Sequence, residues 1–303
     1  MEKWKHWLLA GLFAWVIPWI TVSLLQPEQV PEFTETTAAA ESKIWVQMGE
    51  TRVYLPLETY VAGVVAAEMP ESFQKEALMA QAVVARTYAL RTALYGDKHP
   101  GAVCTDSACC QSWTDPTSTP WARQAADATA DMVLVYGGQL IDAVYFSCSG
   151  GRTEQAVAVW GGDVPYLQSV ESPGEEGAAH YRDEEIWLES EFLSALGLTG
   201  PLRLGKIRYT DGGGVDTMVI CSQVFTGVQL RSLLGLRSTA MTLIPEVGQV
   251  RIITRGFGHR VGMSQYGAQA MAIAGNTFEQ ILGYYYAGTE LADSESFLLQ
   301  ETG

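Results

Sequence analysis

From Trp7 to Leu25 the sequence carries no charged residue, and that run constrains how everything after it can be deployed. A helix needs about 20 apolar residues to cross hydrocarbon. A secretory signal has a shorter core, roughly 7–15 residues, with a small-residue cleavage site close behind. Here Gln26 and Pro27 follow the run, and the triplet Ala38–Ala40 is too distant. Lys3 and Lys5 precede the run, Glu28, Glu32 and Glu35 follow it, and Trp4, Trp7 and Trp19 lie near its ends, as interfacial anchors do. The expectation is an uncleaved single-pass transmembrane anchor over 7–25, with residues 1–6 in the cytoplasm and the rest outside. A cleaved signal and a buried helix are the alternatives. Residues 26–42, rich in Pro, Glu, Thr and Ala, read as a flexible linker. That leaves 43–303 as one extracytoplasmic region.

The net charge of −15 argues against nucleic acid and anionic lipid as partners, because both require a basic surface. Outside the cytoplasm the five cysteines, at 104, 109, 110, 148 and 221, become candidates for disulfides with one left over.

Alternating apolar residues on either side of Gly49 predict a hairpin. Helices are expected from Pro56 to Ala67, stopped by Pro70, and from Phe73 to Tyr95. Pro120 opens a short helix, and 132–151 reads as a hairpin around Gly137 and Gly138. The acidic stretch from Glu171 to Glu191 reads as a solvated face. Strands at 206–210 and 215–224, a helix capped by Thr226, two further strands, and helices after Ser264 and Thr277 complete the pattern. Helices and antiparallel strands alternate without a βαβ rhythm, so the fold class is α+β, with a substrate groove.

Glu68 sits at a helix end with apolar residues behind it and Met69 and Pro70 beside it. Partial desolvation there disfavours the charged carboxylate, as a general acid requires. The next helix, ALMAQAVVARTYAL, embeds Gln81 and Arg86 in Ala, Val and Leu, and both need hydrogen-bond partners if buried. Arg86 could orient Glu68 or fix a substrate oxygen, or face solvent. His99, Cys104, Cys109 and Cys110 cluster in one loop, which suits either tetrahedral zinc or a Cys104–Cys110 or Cys104–Cys109 disulfide. Ser147 and Ser149 flank a strand end with two glycines. His259 and Ser264 lie in a glycine-rich loop running into a helix.

Together VVAAEMP, ALMAQAVVARTYAL, SCSGGRTE, PYLQSVES and GHRVGMSQYGAQAMA resemble the signatures of the SpoIID family of sporulation peptidoglycan lytic transglycosylases, over roughly residues 43–290. The resemblance implies Glu68 as catalytic acid/base and Arg86 as an arginine required for activity. It also implies Gln81, Ser147, Ser149, Tyr166, His259, Ser264 and Gln265 along the glycan groove, and zinc held by His99, Cys104 and Cys110. Cys109 and Arg260 depart from the family pattern. The implied reaction is that of a carbon–oxygen lyase, cleaving the MurNAc–GlcNAc linkage of peptide-stripped glycan with formation of 1,6-anhydroMurNAc during forespore engulfment. An amidase and a membrane scaffold of the engulfment machinery are the implied partners. Two other readings stay open: a non-catalytic glycan-binding or amidase-activating module, and a peptidase using Cys148 and His259.

Overall fold

The computed structural model describes residues 42–298; the expected anchor, and the linker except for Ser42, lie outside them. Among the described residues no helix is long and apolar enough to cross a membrane. The expected first hairpin forms from β1 (Lys43–Met48) and β2 (Thr51–Pro56), turning at Gly49 with φ of 57°, a conformation that favours glycine. Helix α1 (Leu57–Glu68) starts at once and stops where Met69, ahead of Pro70, becomes extended. The long helix α2 (Lys75–Tyr95) leads to β3 (Val103–Cys104), which pairs parallel to β1. Helix α3 (Pro120–Ala128) has proline at its first position, where the missing N–H has no helical partner to lose.

Next come β4 (Met132–Tyr136), β5 (Gln139–Leu140), β6 (Tyr145–Phe146) and the short helix α4 (Ala156–Trp160). A second group follows: β7 (Arg182–Leu188), α5 (Glu189–Ala195), β8 (Leu204–Tyr209), β9 (Val215–Ile220), β10 (Gln223–Thr226), α6 (Gly227–Leu233), β11 (Met241–Glu246) and β12 (Gln249–Arg255). The chain closes with β13 (Met263–Ser264), α7 (Gln265–Ile273), α8 (Phe278–Tyr285), β14 (Glu290–Asp293) and α9 (Glu295–Leu298). The α+β expectation therefore holds for the described residues, with antiparallel pairing dominant.

Two hydrophobic cores result. The first is built on α1 and α2, which are buried almost all round because α3, α7, α8 and β4 pack against them. Val61, Val64, Val83 and Leu90 are fully enclosed there, and each such side chain contributes about 1.5–3 kcal/mol. The second core fills residues 192–252, between the sheets β10–β9–β8 and β11–β12–β7. Arg260 ties the two together. Its backbone takes φ of 66°, and its buried guanidinium donates to Glu154 Oε1 at 3.2 Å, to the carbonyls of Ser149 (2.8 Å) and Arg152 (2.7 Å), and to that of Gly212 (2.8 Å).

Two expectations need correction. The hairpin over 132–151 is short: β5 is two residues long, and Tyr145–Phe146 leaves to pair parallel with Met263–Ser264. That crossing carries the strand before Ser147 into contact with the start of α7. The acidic stretch is also not simply a solvated face. Arg182–Leu188 pairs antiparallel with β12 as an edge strand, and Glu175 is buried.

Candidate active site

Glu68, the last residue of α1, opens into a groove of about 710 Å³, a size typical of ligand sites. Its position follows from the helix stop: the extended backbone at Met69 ends α1 there, so the half-buried carboxylate is not covered by a further turn. The Ser112 N–H donates to Glu68 Oε1 at 3.0 Å, and Gln265 Nε2 donates to Oε2 at 3.5 Å. The first donor comes from the end of the Cys-rich loop, the second from the first residue of α7. Ser264 caps that helix by accepting from Gly267 N at 3.2 Å, and its hydroxyl donates to Ser147 O at 3.4 Å.

Tyr145 lines the groove and is hydrogen-bonded to Glu68; lost solvation, followed by the Glu68 charge, pushes its hydroxyl well above the ordinary tyrosine range. The direction of its own donated bond is set at a distance. Tyr60 donates to the Cys104 carbonyl at 3.0 Å, so its oxygen must accept from Gln111 Nε2 at 3.3 Å. The same Nε2 donates to Ala85 O at 3.4 Å, which turns Gln111 Oε1 toward Tyr145. Tyr145 then donates to that oxygen at 3.2 Å, with the Glu68 carboxylate as the other acceptor beside its hydroxyl. Sequence reasoning missed Tyr145 and Gln111, because an aromatic in a strand and a lone glutamine in a loop look like core and turn.

His259 lines the same groove, between Phe146 (ring centroids 5.7 Å apart) and Trp160 (5.3 Å). Burial, with Arg231 nearby, lowers its pKa to about 4, so the ring is neutral at pH 7. Its Nδ1 accepts from Val261 N at 3.1 Å, and the ring also hydrogen-bonds the main chain of Tyr145. Both contacts hold the ring in place.

Of the residues expected at the groove, Glu68, Ser147, His259 and Gln265 line it; Ser264 positions Gln265. Four others lie elsewhere. Arg86 is fully buried and turns to Glu58, with Nε donating to Oε1 at 2.7 Å and a second contact from Nη2 to Oε2. Its remaining donors meet Met132 O at 3.0 Å and Ala126 O at 3.1 Å, so it braces α1, α2 and α3 and cannot reach Glu68. Gln81 is enclosed by the first core, and its amide has no protein partner among the described residues. Tyr166 donates nothing to the groove; its hydroxyl accepts from Asp142 N at 2.9 Å.

Ser149 is buried on Glu175. Oε2 of that carboxylate accepts from Ser149 N (2.7 Å), Ser149 Oγ (2.9 Å), Gly150 N (3.2 Å) and Cys148 Sγ (3.1 Å). Glu175 is thus the anchor of the turn that presents Ser147. Burial and Glu175 push the Cys148 thiol up to about 12, and the thiol is turned to Glu175, so a Cys148–His259 peptidase lacks its thiolate nucleophile.

At the edge of the groove, which Cys109 and Cys110 help to line, His99, Cys104, Cys109 and Cys110 bring four ligand atoms within 4.8 Å of one another. His99 Nε2 lies 3.3 Å from Cys109 Sγ, and Cys109 Sγ 3.9 Å from Cys110 Sγ. All three cysteines are free thiols, so neither expected disulfide forms. Zinc–sulfur bonds of about 2.3 Å around a tetrahedral centre separate sulfurs by roughly 3.8 Å, and the observed spacing fits. The cluster adds Cys109 to the three ligands expected from sequence.

Residues 48–136 match the family model described as SpoIID, stage II sporulation protein. The chain is 38% identical over 262 residues to stage II sporulation protein D of Bacillus subtilis (strain 168), covering 80% of this chain and 76% of that protein. It is 37% identical over 262 residues to the protein of the same name from Bacillus amyloliquefaciens, with the same coverage. It is also 30% identical over 286 residues to the amidase enhancer of B. subtilis, covering 76% of this chain and 40% of that protein.

Proposed function

This chain belongs to the stage II sporulation protein D family, and from that premise we propose that it is a lytic transglycosylase acting on peptide-stripped peptidoglycan strands. The observation that carries the reading is Glu68: a half-buried carboxylate in a large groove, fixed through Oε1 by the Ser112 N–H, with the Tyr145 hydroxyl hydrogen-bonded beside it. Protonated Glu68 gives its proton to the oxygen linking MurNAc C1 to GlcNAc. As that bond breaks, the carboxylate takes the proton of the muramoyl C6 hydroxyl, and O6 bonds to C1. One residue performs both transfers, no water is consumed, and the product carries a 1,6-anhydro end.

Asp142 also lines the groove and supports a second reading, a two-carboxylate hydrolase. It fits less well, because Asp142 lies 3.9 Å from Arg91, and burial raises its pKa against that charge. A non-catalytic amidase-activating module is the other alternative, suggested by the amidase enhancer's name. Digestion of amidase-treated glycan decides among the three. Anhydro ends support the transglycosylase, reducing ends the hydrolase, and intact strands the binding module.

Zinc fits the His99, Cys104, Cys109 and Cys110 cluster. Its contribution would be structural, closing the loop whose far end supplies the Ser112 N–H to Glu68. Residues 7–25 would anchor the protein in the cell membrane, N-terminus inside, so that the groove meets the wall during engulfment. An amidase that strips stem peptides and a membrane scaffold are the partners this reading calls for.

A further inference from the structure

The charges along the groove are unequal. Glu68 and Asp142 both line it, and Lys98 is the one cationic side chain doing so among the described residues. His259 cannot add a second positive charge at neutral pH, since its pKa is lowered to about 4. Arg91 stands behind Asp142, with Nη1 donating to Leu140 O at 3.0 Å, and is not part of the lining. Lys98 is exposed, and its ammonium has no hydrogen bond or ion pair among the described residues. Cys109 lines the groove beside it as a free thiol. In a chain of net charge −15, a cation left free in a groove that also holds two carboxylates stands ready for an anionic ligand.

We propose that Lys98 reads the free lactyl carboxylate of a peptide-stripped muramoyl residue. The proposal rests on the glycan reading above and adds to it the feature that tells one glycan from another. Removing a stem peptide hydrolyses the amide on the muramoyl lactyl group and leaves a carboxylate. An intact stem keeps a neutral amide there, which gives an ammonium no charge to pair with. A GlcNAc-only chain has no lactyl group at all. Lys98 thus separates the first of these from the other two by one charge-assisted hydrogen bond. Its place next to His99 gives it a fixed base whenever the Cys/His loop is cross-linked. The alternative use of the same charge is to balance the cysteine thiolates of that loop, and the two uses separate in a binding experiment.

The probes are three tetrasaccharides, titrated calorimetrically into the full chain carrying Glu68→Gln so that none is consumed. They are peptide-free (GlcNAc–MurNAc)₂, the same compound with its lactyl carboxylates converted to amides, and chitotetraose. The carboxylate form is expected to bind about tenfold more tightly than the other two, the scale of one charged hydrogen bond at an exposed site. Adding Lys98→Met should abolish that advantage while leaving chitotetraose binding unchanged, and Lys98→Arg should retain most of it. Equal affinities for acid and amide, or an advantage that survives Lys98→Met, overturn the proposal while leaving the groove a glycan site. Failure of all three probes to bind overturns the glycan reading together with it. A carboxylate preference without lytic products in the unmutated chain supports Lys98 and removes only the proposed chemistry.

Discussion

Arg86 and Glu58 meet as a two-point ion pair between α2 and α1, and this pairing separates the two carboxylates of one helix by task. Glu58, near the start of α1, holds Arg86, while Glu68, at its end, faces the groove. An arginine required for activity need not touch substrate if it fixes the helix that carries the acid. Arg86→Met removes the guanidinium, strands Glu58, and frees the carbonyls of Ala126 and Met132. Breaking a buried pair from one side costs about 3–5 kcal/mol. Denaturant unfolding should register that loss, and Arg86→Met with Glu58→Leu should recover a large part of it. A fully stable but inactive Arg86→Met would instead place Arg86 in the chemistry.

His259 makes stability depend on pH in a defined direction. In the unfolded chain the imidazole takes up a proton near 6.5; in the folded chain it does so only near about 4. Between those values the unfolded state binds more protons, so stability falls as pH drops through that window and is level above it. Unfolding midpoints at pH 7.5, 6 and 5 should fall in that order. His259→Gln should flatten its part of the slope, seen as a smaller difference between pH 7.5 and 5.

The Cys/His cluster should hold about one zinc per chain purified without chelator. Cys109→Ser should weaken retention and Cys104→Ser more so, because Cys104 is the buried member. Stripping the metal should lower glycan cleavage by freeing Ser112 from Glu68, with thermal stability falling in parallel. Protein with a Cys104–Cys110 disulfide and no metal would refute this assignment.

Glu68 was legible because its spacing is local: an apolar helix, a carboxylate, then proline. The two central helices and the Cys/His loop were legible for the same reason. Long-range pairing was not. Nothing near Arg86 in the chain points to Glu58, and two core helices had to pack before that partner existed. Glu175 looked like one acid among many, and only the fold brings the Cys148–Gly150 turn onto its carboxylate. Strand β7 was hidden because its exposed edge tolerates the acidic run that obscures alternation. Tyr145 escaped because its function depends on Gln111 and Tyr60, each contributed by a different segment.

The most direct test of the account compares the unmutated chain with Glu68→Gln on peptide-stripped glycan, with products read by mass. Glu68→Gln keeps the shape and the Ser112 contact but removes the transferable proton. General acid–base catalysis by one group is typically worth about 10²–10⁴-fold, and here the group acts twice, so the rate should fall by at least the upper figure. Glycan binding should be almost unchanged. The unmutated chain should release fragments one water lighter than hydrolysis products, without reducing ends. Cleavage by Glu68→Gln at near the unmutated rate, or products that all carry reducing ends, would contradict the account.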